Sequence, residues 1–262
     1  MRPLPDDSYA PIAALYDLSY GDFTDDVDFY ENLAQVSGGP ILELGVGTAR
    51  VALPLAEAGY EVVGLDASKS MLERARRRLA GLALKKGSVA LLEGDMRRFD
   101  LDRRFGLVFI AADTFQHLLT TEDQRACISC VARHLQPSGI FTMSVRSPAS
   151  VSWDEVGVPA PLLLDWTKTE PETGDLVMKF IAAEADPARM VRKLTYFYDR
   201  VHEGVVLRSV FVTELRYSTQ AEIELLLQQQ GLRVTHVYGD YDLSPVGQGD
   251  DLIFVARVEA NR

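Results

Sequence analysis

Cysteine and positive charge are both scarce in this chain of 262 residues, and histidine occurs only four times. The two cysteines, Cys127 and Cys130, form a C-x-x-C pair with no second pair to complete a four-thiolate zinc site. The pair lies inside TEDQRACISCVARHL, where Ala126, Ile128, Val131 and Leu135 fall at helical intervals. Both thiols are therefore expected to pack within a helix, and no metal is expected. Lysine and arginine number 27 against 38 aspartates and glutamates, a net charge of −11. That balance opposes long-range attraction to phosphate backbones and anionic membranes, so neither nucleic acid nor membrane is an expected partner. No apolar run approaches the ~20 residues that span a bilayer. The N-terminal MRPLPDDSYA has neither the basic nor the apolar part of a secretory leader, so a cytoplasmic location is expected. The 47% hydrophobic composition suffices for a continuous core, and the length for one α/β domain with an elaboration.

The most informative segment is ILELGVGTAR at 41–50: a short apolar run, then two glycines one residue apart at the approach to a helix. Gly45 and Gly47 carry no Cβ and reach positive φ freely, so a turn built on them can press bare backbone against a ligand. One strand later, VVGLDAS brings Asp66 to the end of a second apolar run, 21 residues beyond Gly45, where its carboxylate can accept both hydroxyls of a ribose. A dinucleotide fingerprint wants a third small residue where this chain has Arg50. Glu43, two residues before the first glycine, would repel a pyrophosphate but suits a ligand bearing an ammonium and a sulfonium. The pattern points to S-adenosylmethionine.

On these residues the sequence resembles the class I methyltransferases: E-x-G-x-G-T matches Glu43 to Thr48, G-x-D matches Gly64 to Asp66, and G-D-M occurs at Gly94 to Met96. The resemblance covers 40–147 and 218–258 and implies S-adenosylmethionine as cofactor. By position it places Glu43, Gly45 and Gly47 around the aminoacyl end and Asp66 on the ribose. Asp95 and the Met96 backbone fall on the adenine, Ala67 and Met71 against its ring, and Ala111 at the end of the fourth strand beside the cofactor. Leu-Tyr-Asp at 15–17 resembles a segment that folds over the cofactor in small-molecule methyltransferases, which makes Tyr16 a candidate for both cofactor contact and catalysis. Phe-Gln-His-Leu at 115–118 resembles amino-sugar dimethyltransferases, whose histidine faces the methyl acceptor. That role passes to His117, as proton acceptor or as hydrogen-bonding orienter. Each also has a structural reading: Tyr16 as a packing aromatic, Asp95 as a turn former, His117 as a loop histidine. An unperturbed imidazole titrates near pH ~6.5, where a base role would place the acid limb of activity.

Apolar runs near 40–44, 61–65, 89–93, 106–111 and 140–145 alternate with helical segments near 48–58, 69–80 and 121–135. Such alternation implies a parallel sheet. Thr24 is positioned to cap a helix ahead of the first strand, Ser68 to cap the second helix of the alternation, and Pro54 to tighten or kink the first. The ERARRR run at 73–78 reads as a solvated helix face. His134 reads as a partner of a helix C-terminus, while His202 and His236 fall in β segments with no constellation around them. Beyond Ser147-Pro148 the helical period vanishes and three β-like runs follow: LVMKFIAA, MVRKLTYFYDRV and VVLRSVFVTELRY. Thr219 and Glu222 then form a capping box for a last helix, and LRVTHVY and DLIFVARV are joined too closely for a crossover, so they should pair antiparallel. The expected fold is α/β: a doubly wound, mostly parallel seven-stranded sheet with an antiparallel final strand and an antiparallel β insertion. Its expected divisions are an N-terminal cap at 1–39, a cofactor-binding core at 40–150, an insertion at 151–217 serving the substrate pocket or a subunit contact, and a closing helix and hairpin at 218–262.

The function expected is methyl transfer to a small-molecule acceptor, at nitrogen more than at oxygen, by a monomer or homodimer. The DNA amino-methyltransferases carry an N-P-P-aromatic motif where this chain has Asp113-Thr114-Phe115-Gln116, a further argument against a base substrate. Two alternatives stand beside it: a protein that binds S-adenosylmethionine without transferring its methyl group, and a nicotinamide-dependent reductase, which Glu43 and Arg50 disfavour.

Overall fold

The structure, a computed structural model, describes residues 7–154 and 161–259; the rest of the N-terminal cap, six residues of the expected insertion and the extreme C-terminus lie outside them. Five strands, β1 (Ile41–Leu44), β2 (Glu61–Asp66), β3 (Ser88–Glu93), β4 (Phe105–Ile110) and β5 (Leu135–Arg146), run parallel. With β10 (Leu232–Tyr238) and β11 (Asp251–Val258) they form one seven-stranded sheet in the order β10-β11-β5-β4-β1-β2-β3. β11 is antiparallel to both β5 and β10, as the short connection requires. The chain moves outward from β1 to β3 and returns to place β4 on the other side of β1. That reversal opens a crevice at the carboxyl ends of β1 and β4, the place where doubly wound sheets bind ligands.

Both faces of the central strands are covered, which is why β1 and β4 are buried at every position. Ile41, Leu107 and Phe109 point to the layer of α2 (Asp25–Ser37), α3 (Ala52–Glu57) and α4 (Lys69–Leu79), where Tyr30 stacks on Phe109 with ring centroids 4.3 Å apart. Leu42, Leu44, Val108 and Ile110 point the other way, to α5 (Thr121–His134) and α6 (Gln220–Gln229). Cys127 and Cys130 are buried in that second layer as free thiols. Ser68 caps α4 by accepting the Met71 N–H, and Thr219 and Glu222 close a reciprocal capping box on α6.

The second sheet is a four-stranded meander, β6 (Leu163–Thr169), β7 (Leu176–Asp186), β8 (Val191–His202) and β9 (Val205–Arg216). β8 and β9 turn through Glu203 and Gly204, both with positive φ, the conformation that matches the twist of a two-residue hairpin. Its inner face packs Val177, Tyr198 and Phe211 against Ile12 and Leu15 of the N-terminal segment, which carries the short helix α1 (Tyr16–Tyr20). That segment is thereby held between the two sheets.

Local expectations fail in four places. β6 went unread because its leucines are exposed and show no alternation. α3 begins at Ala52, not 48, so Pro54 falls in its first turn, where a missing N–H costs no helical bond. Thr24 precedes α2 but its side chain makes no capping bond. The arginine run on α4 is not purely solvated, for Arg74 donates to Asp17 at 2.7 Å.

Candidate active site

The turn after β1 gives Gly45 and Gly47 φ values of +77° and +53°. A Cβ on Gly45 would also collide with the Thr114 methyl group, so the loops after β1 and β4 meet only because this residue has none. Asp66, ending β2 beside them, accepts the Gly47 N–H at 2.7 Å through one carboxylate oxygen and the Ser68 N–H at 2.8 Å through the other. Each oxygen keeps acceptor capacity, and burial raises the Asp66 pKa. Met71 lies under the same loop, its Cε 3.4 Å from where a Gly47 Cβ would stand, and Ala67 is exposed between Asp66 and Ser68.

Glu43 is 3% exposed, and its Oε2 has no hydrogen-bond partner. Burial pushes its carboxyl well above the usual range, with Arg50 opposing and Asp26 and Asp66 adding to the rise. Arg50 is committed elsewhere: it pairs with Asp26 through both terminal nitrogens, donates to the Phe23 carbonyl at 2.8 Å and lies over the Phe23 ring. Glu43 therefore offers an orphaned acceptor that a cationic group would satisfy. The bare-backbone cradle at Gly45 and Gly47, the ribose-type acceptor at Asp66 and the orphan at Glu43 fit S-adenosylmethionine.

Asp95 and Met96 follow β3. The Asp95 carboxylate accepts from the Arg97 backbone and side chain at 2.8 to 3.1 Å, and Arg97 reaches on to Asp123 at 3.1 Å. This buried pairing holds the Asp95 pKa down against the desolvation that raises it. Ala111 is buried at the end of β4. Ala112 and Asp113 then both take left-handed backbone, φ +50° and +60°, before a 3-10 turn carries Thr114 to His117.

His117 stands on a cavity of about 300 Å³ between the loop after β4, the ends of β5 and β11, the N-terminal segment and the inner face of the β6–β9 sheet. Tyr16 also lines it, with Tyr9 and Tyr20 beside it at ring distances of 6.2 and 4.8 Å. The Tyr9 hydroxyl is 3.0 Å from His117 Nε2, and the Thr213 hydroxyl 3.2 Å from Nδ1. Burial pushes the imidazole down to about 4, so the ring is uncharged at neutral pH and the acid limb expected near pH ~6.5 moves well below it. The other histidines stand apart: His134 bridges the Cys130 carbonyl and the Leu101 N–H, His202 pairs with Asp175, and His236 stacks on Tyr238.

The N-terminal segment ties itself to the cofactor-side loops through two aspartates. Asp7 accepts from the Ser68 hydroxyl at 2.6 Å and from the Ser70 N–H at 2.7 Å; Asp17 accepts from the Thr48 hydroxyl and from Arg74, both at 2.7 Å. Of the residues singled out from sequence, Tyr16 and His117 line this cavity; Tyr9, Asp113, Arg146, Thr213 and Asp251 line it too, without having been singled out as site candidates.

Residues 41–139 match the family profile of a methyltransferase domain. The cypemycin N-terminal methyltransferase of a Streptomyces species is 30% identical over 213 residues, spanning 80% of this chain and 79% of that protein. The dTDP-3-amino-3,4,6-trideoxy-alpha-D-glucopyranose N,N-dimethyltransferase of Streptomyces venezuelae is 28% identical over 215 residues, 80% of each chain. Among solved structures, the CcbJ methyltransferase of Streptomyces caelestis is similar with a TM-score of 0.78 at 27% identity, covering 98% of this chain and 100% of that one. With the glycine cradle, the Asp66 acceptor and the reversed final strand already in place, this likeness across most of the chain shows that the protein belongs to the class I S-adenosylmethionine-dependent methyltransferases.

Proposed function

We propose that the protein methylates a nitrogen of a compact amine held in the cavity beneath the β6–β9 sheet. The observation that carries this reading is the position of His117, uncharged on the cavity floor, one turn beyond the loop that meets the glycine cradle. Two relatives, one named an N-terminal methyltransferase and one an N,N-dimethyltransferase of an amino-glucopyranose, support the choice of nitrogen. The net charge of −11 and the cavity volume of about 300 Å³ favour a small acceptor over nucleic acid.

When bound, S-adenosylmethionine supplies a sulfonium methyl group with its leaving group already in place. Glu43, Gly45 and Gly47 would hold its aminoacyl end, Asp66 its ribose, and Ala67 and Met71 its adenine face. The Met96 backbone and Asp95, which Arg97 fixes in place, would meet the adenine edge, and Ala111 and Tyr16 would stand toward the methyl group. β8 and β9 of the insertion shape the acceptor pocket, and the segment from Tyr9 to Phe23 covers it. The chain's catalytic contribution is position and dryness: aromatic walls exclude water, and an acceptor fixed near the methyl carbon gains several kcal/mol without a dedicated acid. His117, with Tyr9 and Thr213 on its two ring nitrogens, keeps no free nitrogen for the acceptor and acts as a positioning residue for those two hydroxyls; a group pushed down to about 4 is also a weak proton acceptor.

Calorimetry with S-adenosylmethionine, S-adenosylhomocysteine and NAD, followed by a methyl-transfer screen over matched amines and alcohols, tests the reading. Heat from the first two alone and turnover confined to amines is the expected result. Turnover confined to alcohols would overturn the choice of nitrogen, and cofactor binding with no turnover on any acceptor would favour a binding protein.

A further inference from the structure

One end of the acceptor cavity carries more acid than the methyl transfer described so far uses. The register of β5 and β11 sets Arg146 directly across from Asp251, and Ser144 across from Ile253, on the strand face that lines the cavity; Asp113 reaches the same end from the loop after β4. Arg146 is shared: its terminal nitrogen is 2.9 Å from Asp250, and its Nε stands 3.5 Å from Asp251 Oδ1. Two polar atoms here are buried without a hydrogen bond, Asp251 Oδ1 and the hydroxyl of Ser144, a residue 1% exposed. Such atoms cost free energy unless a partner arrives.

Resting on the methyl-transfer reading, we propose that the acceptor is recognised as an ammonium ion whose N–H groups face Asp113 and Asp251, and that Asp251 takes the proton that frees the nitrogen. Charge selects the ligand class. Three carboxylates, Asp113, Asp250 and Asp251, share the single guanidinium of Arg146, so an anionic ligand is repelled and a cation is drawn in. The phenol ring of Tyr241 lines the same cavity, while those of Tyr20 and Tyr196 already hold a cation, Lys179, at 5.6 and 4.8 Å. The transfer is balanced: one N–H bond of the ammonium breaks, an O–H bond forms on Asp251, and the electron pair stays on nitrogen, ready for the methyl group. The Asp251 side chain keeps 18% of its surface exposed, through which the proton passes to water.

The groups around Asp251 suit that task. Burial pushes it up to about 7, Asp113 adds to the rise, Arg146 opposes it, and Asp240 and Asp250 contribute from the ends of the hairpin. Burial raises Asp113 as well, again against Arg146. A proton acceptor matched to neutral pH serves better than His117 at about 4.

The test uses the full chain saturated with S-adenosylhomocysteine and two ring-sized probes, piperidine and tetrahydropyran, titrated by NMR at pH 8. Piperidine, protonated throughout, should bind at least about tenfold more tightly than the ether, the scale of a charge-assisted hydrogen bond. D251N should erase that preference and D113N weaken it, while both keep wild-type affinity for S-adenosylhomocysteine. In the wild type the preference should shrink as pH falls through about 7, where Asp251 takes up a proton; this series stands in for D251N should that variant fail to fold. Equal binding of amine and ether, or an unchanged preference in D251N, overturns the proposal. A retained preference with no methyl transfer to any amine would instead overturn nitrogen methylation and leave the cation site standing.

Discussion

The hydroxyl of Tyr9 lies 3.0 Å from Nε2 of His117, joining residues 108 apart in sequence. The N-terminal segment and the loop after β4 thus form one continuous surface, and the orientation of the imidazole depends on a residue far from the family motifs. Tyr9→Phe removes the bond and keeps the ring. The lost bond is worth about 1 kcal/mol, so turnover should fall roughly fivefold with cofactor affinity unchanged. Steady-state kinetics and calorimetry on the same sample check this; a weaker cofactor with intact turnover would place Tyr9 on the wrong side of the site.

The depressed His117 pKa also makes stability depend on pH. An unfolded chain takes up a proton on this histidine near pH ~6.5, whereas the folded one resists until about 4. The contribution is therefore complete above the unfolded value and is lost as pH falls through the folded one, on the order of 3 kcal/mol in all. Urea unfolding at pH 7 and pH 4.5 should show that loss in the wild type and a smaller one in His117→Gln. Parallel losses in the two proteins would mean that the imidazole titrates normally.

Asp66→Ala should weaken S-adenosylmethionine by roughly 1.5 to 3 kcal/mol, the scale of hydrogen bonds to a charged group. The variant also strands the Gly47 and Ser68 N–H groups, so its melting temperature should drop as well. Asp66→Asn retains an acceptor and should fall between. An unchanged dissociation constant in a folded variant removes Asp66 from the ribose.

Asp95→Ala leaves Arg97 buried with Asp123 as its remaining carboxylate partner among the described ion pairs. Breaking a buried pair from one side costs about 3 to 5 kcal/mol, so this variant should be the least stable of the set. Thermal unfolding checks it; a melting temperature near the wild type would show that Arg97 finds solvent.

Asp17→Asn weakens the tie to Thr48 and Arg74. A partly exposed pair of this kind contributes up to about 1 kcal/mol. Cofactor release, followed by stopped-flow fluorescence, should quicken by up to roughly fivefold, with little change in melting temperature.

The core was legible where its signals are local. Gly45, Gly47 and Asp66 lie within 22 residues, and their spacing is set by one strand-helix-strand unit, so sequence order and spatial order coincide. The Thr219–Glu222 box and the close connection between β10 and β11 are equally local, and both formed. The acceptor cavity is different in kind. Tyr9, Asp113, Arg146, Thr213 and Asp251 come from five separate stretches and meet only once two sheets close over the N-terminal segment. No periodicity links them. The burial that sets His117 and Asp251 apart from ordinary members of their types belongs to that closure, not to their neighbours in the chain.

The segment pinned by Asp7 and Asp17 touches both the loops after β1 and β2 and the cavity at His117. A displacement that breaks those two ties therefore also withdraws Tyr9 and Tyr16 from the cavity wall, and on the proposed reading the cofactor side and the acceptor side loosen together.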